Sequence, residues 1–182
     1  MTNAAIDAVA RTGQTFTPVE GNTGTSAANI FMRQDGITWC IAVFNYTASA
    51  TNETVNLSRA GLLPGTFAAT NLWDGTVTTV SNSFNVSLNA KQAKLFRLAL
   101  AGGVPTPEFV AVTPVGVNGL IFNGGNGAPG WPYCVLASTN LALPASQWLS
   151  VATNSFDANG NFNFTNSVDP NAPQQFYLLE TP

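Results

Sequence analysis

Histidine is missing from this chain of 182 residues, and its absence excludes Ser-His-Asp and Cys-His arrangements for nucleophilic catalysis. Charge is scarce too. Six Lys and Arg and nine Asp and Glu make up 8% of the residues, leaving a net charge of -3. That balance offers no basic stripe, so nucleic acid is not an expected partner. No apolar run approaches the ~20 residues of a membrane-spanning helix, so no membrane span is expected. Cysteine is limited to Cys40 and Cys134. Without histidine they form no ligand cluster, so no metal centre and no cofactor are expected. Each lies in an apolar, strand-like run in a different half of the chain and reads as a buried free thiol. Met1 is followed by Thr-Asn-Ala-Ala-Ile-Asp, not by the basic and then apolar regions of a signal peptide.

What is plentiful is Asn, Thr, Ser, Gly and Ala around short runs of Val, Phe and Thr, with 45% hydrophobic residues overall. A neutral-polar surface over real cores points to an all-β, extracellular protein. The stretch Ala101-Gly102-Gly103-Val104-Pro105-Thr106-Pro107 divides the chain. Two glycines release the backbone and two prolines stiffen it again, as in a short spacer. All six basic residues precede it (Arg11, Arg33, Arg59, Lys91, Lys94, Arg97), while only Glu108, Asp157, Asp169 and Glu180 follow it as charges. The expected organisation is a first domain over 1–101, a Gly/Pro linker over 102–107 and a second domain over 108–182.

Residues 2–12 form the one helix candidate, with Thr2 or Asn3 as cap, Ile6, Val9 and Ala10 on one face, and Gly13 as stop. A polar lead-in over 20–28 then reaches a strand at 29–33. Asp35-Gly36 predicts a tight hairpin into 37–46, which is apolar on both parities and so reads as a central strand covered on both sides. Further strands are expected at 53–57, 65–73, 76–80, 84–88 and 93–98. Phe84, Val86 and Leu88 alternate with Asn85 and Ser87, which leaves one face wet. Beyond the spacer, strands are expected at 109–113, 120–122, 133–137, 147–152, 161–166 and 175–179. The fold class is therefore all-β: two tandem β-sandwiches, the second immunoglobulin-like, with a short N-terminal helix. The cores should hold Ile41, Val43, Phe44, Leu72, Phe96 and Leu98 in the first domain. In the second they should hold Val135, Leu136, Trp148, Phe164, Phe176 and Leu178.

No catalytic residues are assigned. Asp74 beside Trp73 is the most site-like carboxylate, yet Trp-Asp-Gly reads first as a strand end and turn. Asp157, Asn159 and Asn161 place oxygens at alternate positions, as calcium loops do, but lack the twelve-residue spacing and the final Glu, so a hairpin turn has the stronger claim. The glycine-rich run 124–130 has neither Lys nor a following helix, which favours a flexible loop over a phosphate cradle. Trp131, between Gly130 and Pro132, and nearby Tyr133 are the aromatic residues set apart as a sugar-stacking platform.

The order of motifs in the first half carries a resemblance. Ile41-Ala42-Val43-Phe44-Asn45, Val55-Asn56-Leu57, Asn71-Leu72-Trp73-Asp74-Gly75, Phe84-Asn85-Val86 and Ala93-Lys94-Leu95-Phe96-Arg97-Leu98 follow one another. This resembles the C-terminal β-sandwich of α-galactosidases of the glycoside hydrolase family 27 type, over residues 1–100. Lys91-Gln92 stands where the family often has His-Gly. The family's (β/α)₈ barrel and its two aspartates have no counterpart in this sequence, so no catalytic residue carries over. The second half, with 133–141, Trp148, 156–164 and 175–179, resembles modules appended to the C-termini of secreted bacterial proteins.

The resemblance implies a non-catalytic accessory region of a secreted or surface-displayed carbohydrate-active protein, for support, display or glycan contact. Two other readings stay open: a structural extracellular protein assembling into a filament or surface layer, and a carbohydrate-binding module. The expected partners are further copies of the chain, through Ile6, Val9 and Ala10, with glycans or a separate catalytic barrel as the others.

Overall fold

The computed structural model describes residues 3–19, 28–169 and 171–182. Strands take up 49% of the chain and helix 6%. The chain resolves into two compact units, Met1–Gly103 and Val104–Pro182.

The first unit begins with α1, Ala4–Arg11. Asn3 caps it: its side-chain oxygen accepts from the backbone N–H groups of Ala5 and Ile6 at 3.1 and 3.2 Å, filling two donors that a helix start leaves unpaired. Gly13 follows at a φ of 67°, where the helix stops. The strands are β1 (Thr17–Pro18), β2 (Ile30–Asp35), β3 (Thr38–Phe44), β4 (Thr51–Asn56), β5 (Phe67–Asn71), β6 (Val77–Val80), β7 (Ser83–Leu88) and β8 (Ala93–Leu100). Six of them form one sheet in the order β1-β2-β3-β8-β5-β6, and β4 and β7 form a ribbon. The Asp35-Gly36 hairpin is present, with Gly36 at a φ of 60°. The two-residue strand β1 had no periodicity to announce it, and the polar segment 20–27 lies outside the described residues, as does Thr2.

As its double apolar parity predicts, β3 is covered on both faces. Trp39, Ile41 and Val43 are buried on the side where Phe84 of the ribbon meets Phe96 of β8 edge to face. Cys40, on the opposite side, is buried with Val9 of α1 and with Leu72. The ribbon alternates as expected: Val86 and Leu88 are buried, Asn85 and Ser87 exposed. Phe44 and Phe96 are only half-buried, a correction to the expected core.

The second unit consists of β9 (Glu108–Val115), β10 (Gly119–Gly125), β11 (Pro132–Ser138), β12 (Leu149–Ser155), β13 (Phe162–Ser167) and β14 (Phe176–Glu180). They form two three-stranded sheets, β13-β10-β9 and β12-β11-β14. All pairings are antiparallel, and the chain passes from the first sheet to the second and back, as an immunoglobulin-like sandwich does. The core is aromatic. Phe122 stacks on Phe164 at 4.5 Å between ring centroids, and Tyr177 lies 4.4 Å from Phe122. Three expected core residues are less buried than expected, Phe176 on β14 among them, which is half-buried. Trp148 is half-buried before β12, its indole N–H donating to the Leu143 carbonyl, and Leu178 on edge strand β14 is 40% exposed.

The glycine-rich run is a packed loop, not a flexible one. The Gly127 N–H donates to the Gly160 carbonyl at 2.9 Å, and a Cβ on Gly127 would lie 2.2 Å from the Phe156 ring. Glycine is needed there for close approach, which composition alone does not distinguish from looseness.

Candidate functional sites

The outer face of the six-stranded sheet is apolar because of strand register. Directly opposed residues share a face, and the pairs Phe31 with Ala42, Ala42 with Leu95, and Phe44 with Ala93 all point away from the ribbon. α1 lies over one end of this face and leaves a groove of about 560 Å³ beside it. Ile6, Ala10 and Phe16 form one wall, and Phe31, Phe44 and Leu95 form the floor. At the rim Trp73 is 57% exposed and Tyr46 is 48% exposed, with Tyr46 stacked on Phe44 at an interplanar angle of 6°.

The residues expected to mediate self-association divide across this groove. Val9 is buried against Cys40 and Leu72 of its own chain, so it is not a free contact. Ile6 is half-buried and Ala10 exposed. A short amphipathic helix needs a tertiary partner, and here the chain supplies most of one.

Arg33 fixes that docking, a role its place at a strand end did not reveal. It is buried, and its guanidinium donates to the Val9 carbonyl at 3.1 Å, to the Gln14 carbonyl at 3.3 Å and to Asp35 at 2.6 Å. It also lies 5.0 Å over the Phe16 ring. A cation receiving the carbonyls where a helix ends suits the helix dipole. The Cys40 thiol lies 3.6 Å from Asp35, and burial first, then that carboxylate, pushes its pKa up. Both cysteines are free, but only Cys40 is buried as expected; Cys134 is half-buried.

Asp74 is a turn residue. Its carboxylate accepts from the Thr76 hydroxyl at 2.6 Å, the Thr76 N–H at 2.9 Å and the Asn71 amide at 2.8 Å, and the Thr76 hydroxyl leads in holding its pKa below the ordinary 3.8.

In the second unit the proposed aromatic platform is overturned. Trp131 is 2% exposed and Tyr133 is 3% exposed, so neither ring has a face free to stack on a sugar. Tyr133 packs on Phe156 and Phe162 at 4.9 and 5.4 Å, and its hydroxyl donates to the Asn163 carbonyl. Burial raises its pKa. Gly130 and Pro132 mark a bend whose aromatic residues plug the sandwich end; a bend in sequence is not an exposed tip.

Asp157, Asn159 and Asn161 form a hairpin turn. One Asp157 oxygen accepts both the Asn159 and Asn161 N–H groups at 2.8 Å, and the other accepts the Asn161 amide at 3.3 Å. Those bonds, the Asn161 N–H first, lower its pKa. Its oxygens face donors of its own loop, an arrangement that disfavours calcium. Among the described residues no group of three or more acidic, Cys or His side chains could hold a metal.

The geometry thus defines a helix-backed β-sandwich with an apolar groove, followed by a smaller immunoglobulin-like sandwich. Residues 33–98, within the first unit, match the model of the alpha galactosidase C-terminal beta sandwich domain, which is the domain the sequence resembles. Among solved structures, a glycoside hydrolase family 27 β-L-arabinopyranosidase from Geobacillus stearothermophilus is similar at 20% identity and a TM-score of 0.47, over 54% of this chain and 22% of that one. Alpha-galactosidase I from Mortierella vinacea is similar at 13% identity and a TM-score of 0.45, over 53% of this chain and 26% of that one. The isomalto-dextranase of Arthrobacter globiformis T6 is similar at 13% identity and a TM-score of 0.47, over 99% of this chain and 37% of that one. The chain therefore spans well under half the length of these proteins. No curated protein matches it.

Proposed function

We propose that this chain is the non-catalytic accessory region of a secreted, carbohydrate-active protein of the glycoside hydrolase type, and that it supports and positions a catalytic partner. The observation that carries the reading is the match of residues 33–98 to the C-terminal sandwich domain of alpha galactosidases. The apolar groove beside α1 supports it, because an uncovered face with Trp73, Tyr46 and Ile6 at its margin suits a protein surface better than water. The test is direct: the purified chain should not hydrolyse aryl α-galactosides, and measurable turnover would overturn the reading.

A second reading, self-association through the same groove, is favoured by low charge. With a net charge of -3, little repulsion keeps copies apart. Light scattering at micromolar concentration should then show an oligomer that Trp73→Asp converts to monomer. A monodisperse monomer, unchanged when residues 1–28 are deleted, excludes it.

A further inference from the structure

A second cavity, of about 600 Å³, lies in the immunoglobulin-like unit, and its lining differs in kind from that of the groove. Four asparagines from four segments border it: Asn123 of β10, Asn154 of β12, Asn161 of the hairpin loop and Asn163 of β13. Asn123 and Asn163 are directly opposite in the β10–β13 pairing, so both amides stand on the same face of the sheet, and both are exposed. Among the described residues neither has a side-chain hydrogen-bond partner. Gly124 and Gly125 border the cleft without side chains, and a Cβ on Gly125 would lie 3.2 Å from the Asn161 side-chain oxygen. That acceptor therefore overhangs the glycine floor. Its orientation is held from below by the bonds between the Asn161 amide group, its N–H and Asp157.

The lining selects the ligand class. No Lys or Arg borders the cavity, so nothing there attracts an anion. Its one carboxylate, Asp157, is already bonded to three donors of its own loop, so little remains for a cation. What remains is a set of neutral amides, each offering two N–H donors and a carbonyl acceptor. We propose that this cleft binds a neutral saccharide, with the Asn123 and Asn163 amides bracketing neighbouring hydroxyl groups and the Asn161 oxygen accepting a third. The choice of a saccharide over other neutral polar ligands rests on the accessory reading above; the location and neutrality of the site rest on the cleft alone.

The experiment is titration of the isotopically labelled full chain with raffinose, isomaltotriose and xylotriose, followed through the asparagine side-chain amide resonances. A charged trisaccharide of galacturonic acid and a neutral tripeptide serve as comparisons. At least one neutral saccharide should give saturable shifts at Asn123 and Asn163. Asn123→Ala/Asn163→Ala, on an exposed sheet face, should weaken it about tenfold or more at unchanged thermal stability. Asn123→Ala alone should have a smaller effect in the same direction. Absence of shifts with all three neutral saccharides at millimolar concentration overturns the proposal. So do equal binding of the charged trisaccharide, stronger binding of the tripeptide, or binding indifferent to both substitutions. Hydrolysis assays decide the accessory reading separately, so either can fail without the other.

Discussion

A single buried cation organises the N-terminal end of this molecule. Arg33 donates to two backbone carbonyls and to the Asp35 carboxylate while only 4% of its side chain is exposed. Removing one partner of such an arrangement leaves the others desolvated and unpaired, so Arg33→Ala should cost about 3 kcal/mol in urea unfolding. Arg33→Lys should fall between the two proteins, because a point charge cannot serve carbonyls and carboxylate with one planar fork. A loss under about 1 kcal/mol for Arg33→Ala would mean that water replaces the guanidinium. Residue-scale roles of this kind are hard to read in sequence. Arg33 stands at the end of an apolar run, where a basic residue ordinarily points to solvent, and only the register of β2 on β3 places it over Cys40 beneath α1. Trp131 shows the converse: its Gly and Pro neighbours suggested exposure, yet packing within the second unit covers it.

At the scale of elements the sequence was far more legible, because strand and turn signals are local. The parity of β3, the alternation of β7, the cap of α1 and the Asp-Gly hairpin all follow from residues within a few positions of one another. The groove and the amide cleft were not legible, since each joins segments distant in sequence through strand register. The turns also carry a pH signature. Asp74 and Asp157 both have pKa values lowered from the ordinary 3.8 by hydrogen bonds, the Thr76 hydroxyl leading at Asp74 and the Asn161 N–H at Asp157. A carboxylate with a depressed folded pKa adds stability above its unfolded value and loses it as pH falls through the folded one. Their contribution should thus be complete at neutral pH, begin to fall near the unfolded value of about pH 4, and disappear only as pH drops through the lowered folded values. Thermal melts of the chain and of Asp74→Asn/Asp157→Asn, followed from pH 7 to pH 2, check this. The substituted protein should melt lower at pH 7, and the gap should close in acid. A gap that persists at pH 2 would place the loss in geometry instead of charge.

For the whole molecule the two units differ in what holds them together. Of the buried hydrophobic residues described, seventeen lie in the first unit and ten in the second. The second unit also has an edge strand, β9, in which every residue is exposed, including Val110 at 71% and Val112 at 51%. A domain of this size buries a smaller share of its unfolded surface than a larger one, and a single small core rarely supplies more than ~3–5 kcal/mol. Each unit nevertheless has its own core, aliphatic with Trp39 and Phe67 in the first and rich in phenylalanine in the second. We therefore expect residues 1–103 and 104–182, produced separately, each to fold with a β-rich circular dichroism spectrum, and the second to melt at the lower temperature. The edge strand sharpens the expectation. Open apolar strands invite pairing between copies, so the isolated 104–182 fragment should aggregate on heating, and Val112→Lys should suppress that without lowering the melting temperature by more than a few degrees. Calorimetry of the two fragments with light scattering on the second decides it. A second fragment that is unfolded at room temperature would show that its core is insufficient alone, and one that outlasts the first would show that aromatic packing outweighs core size.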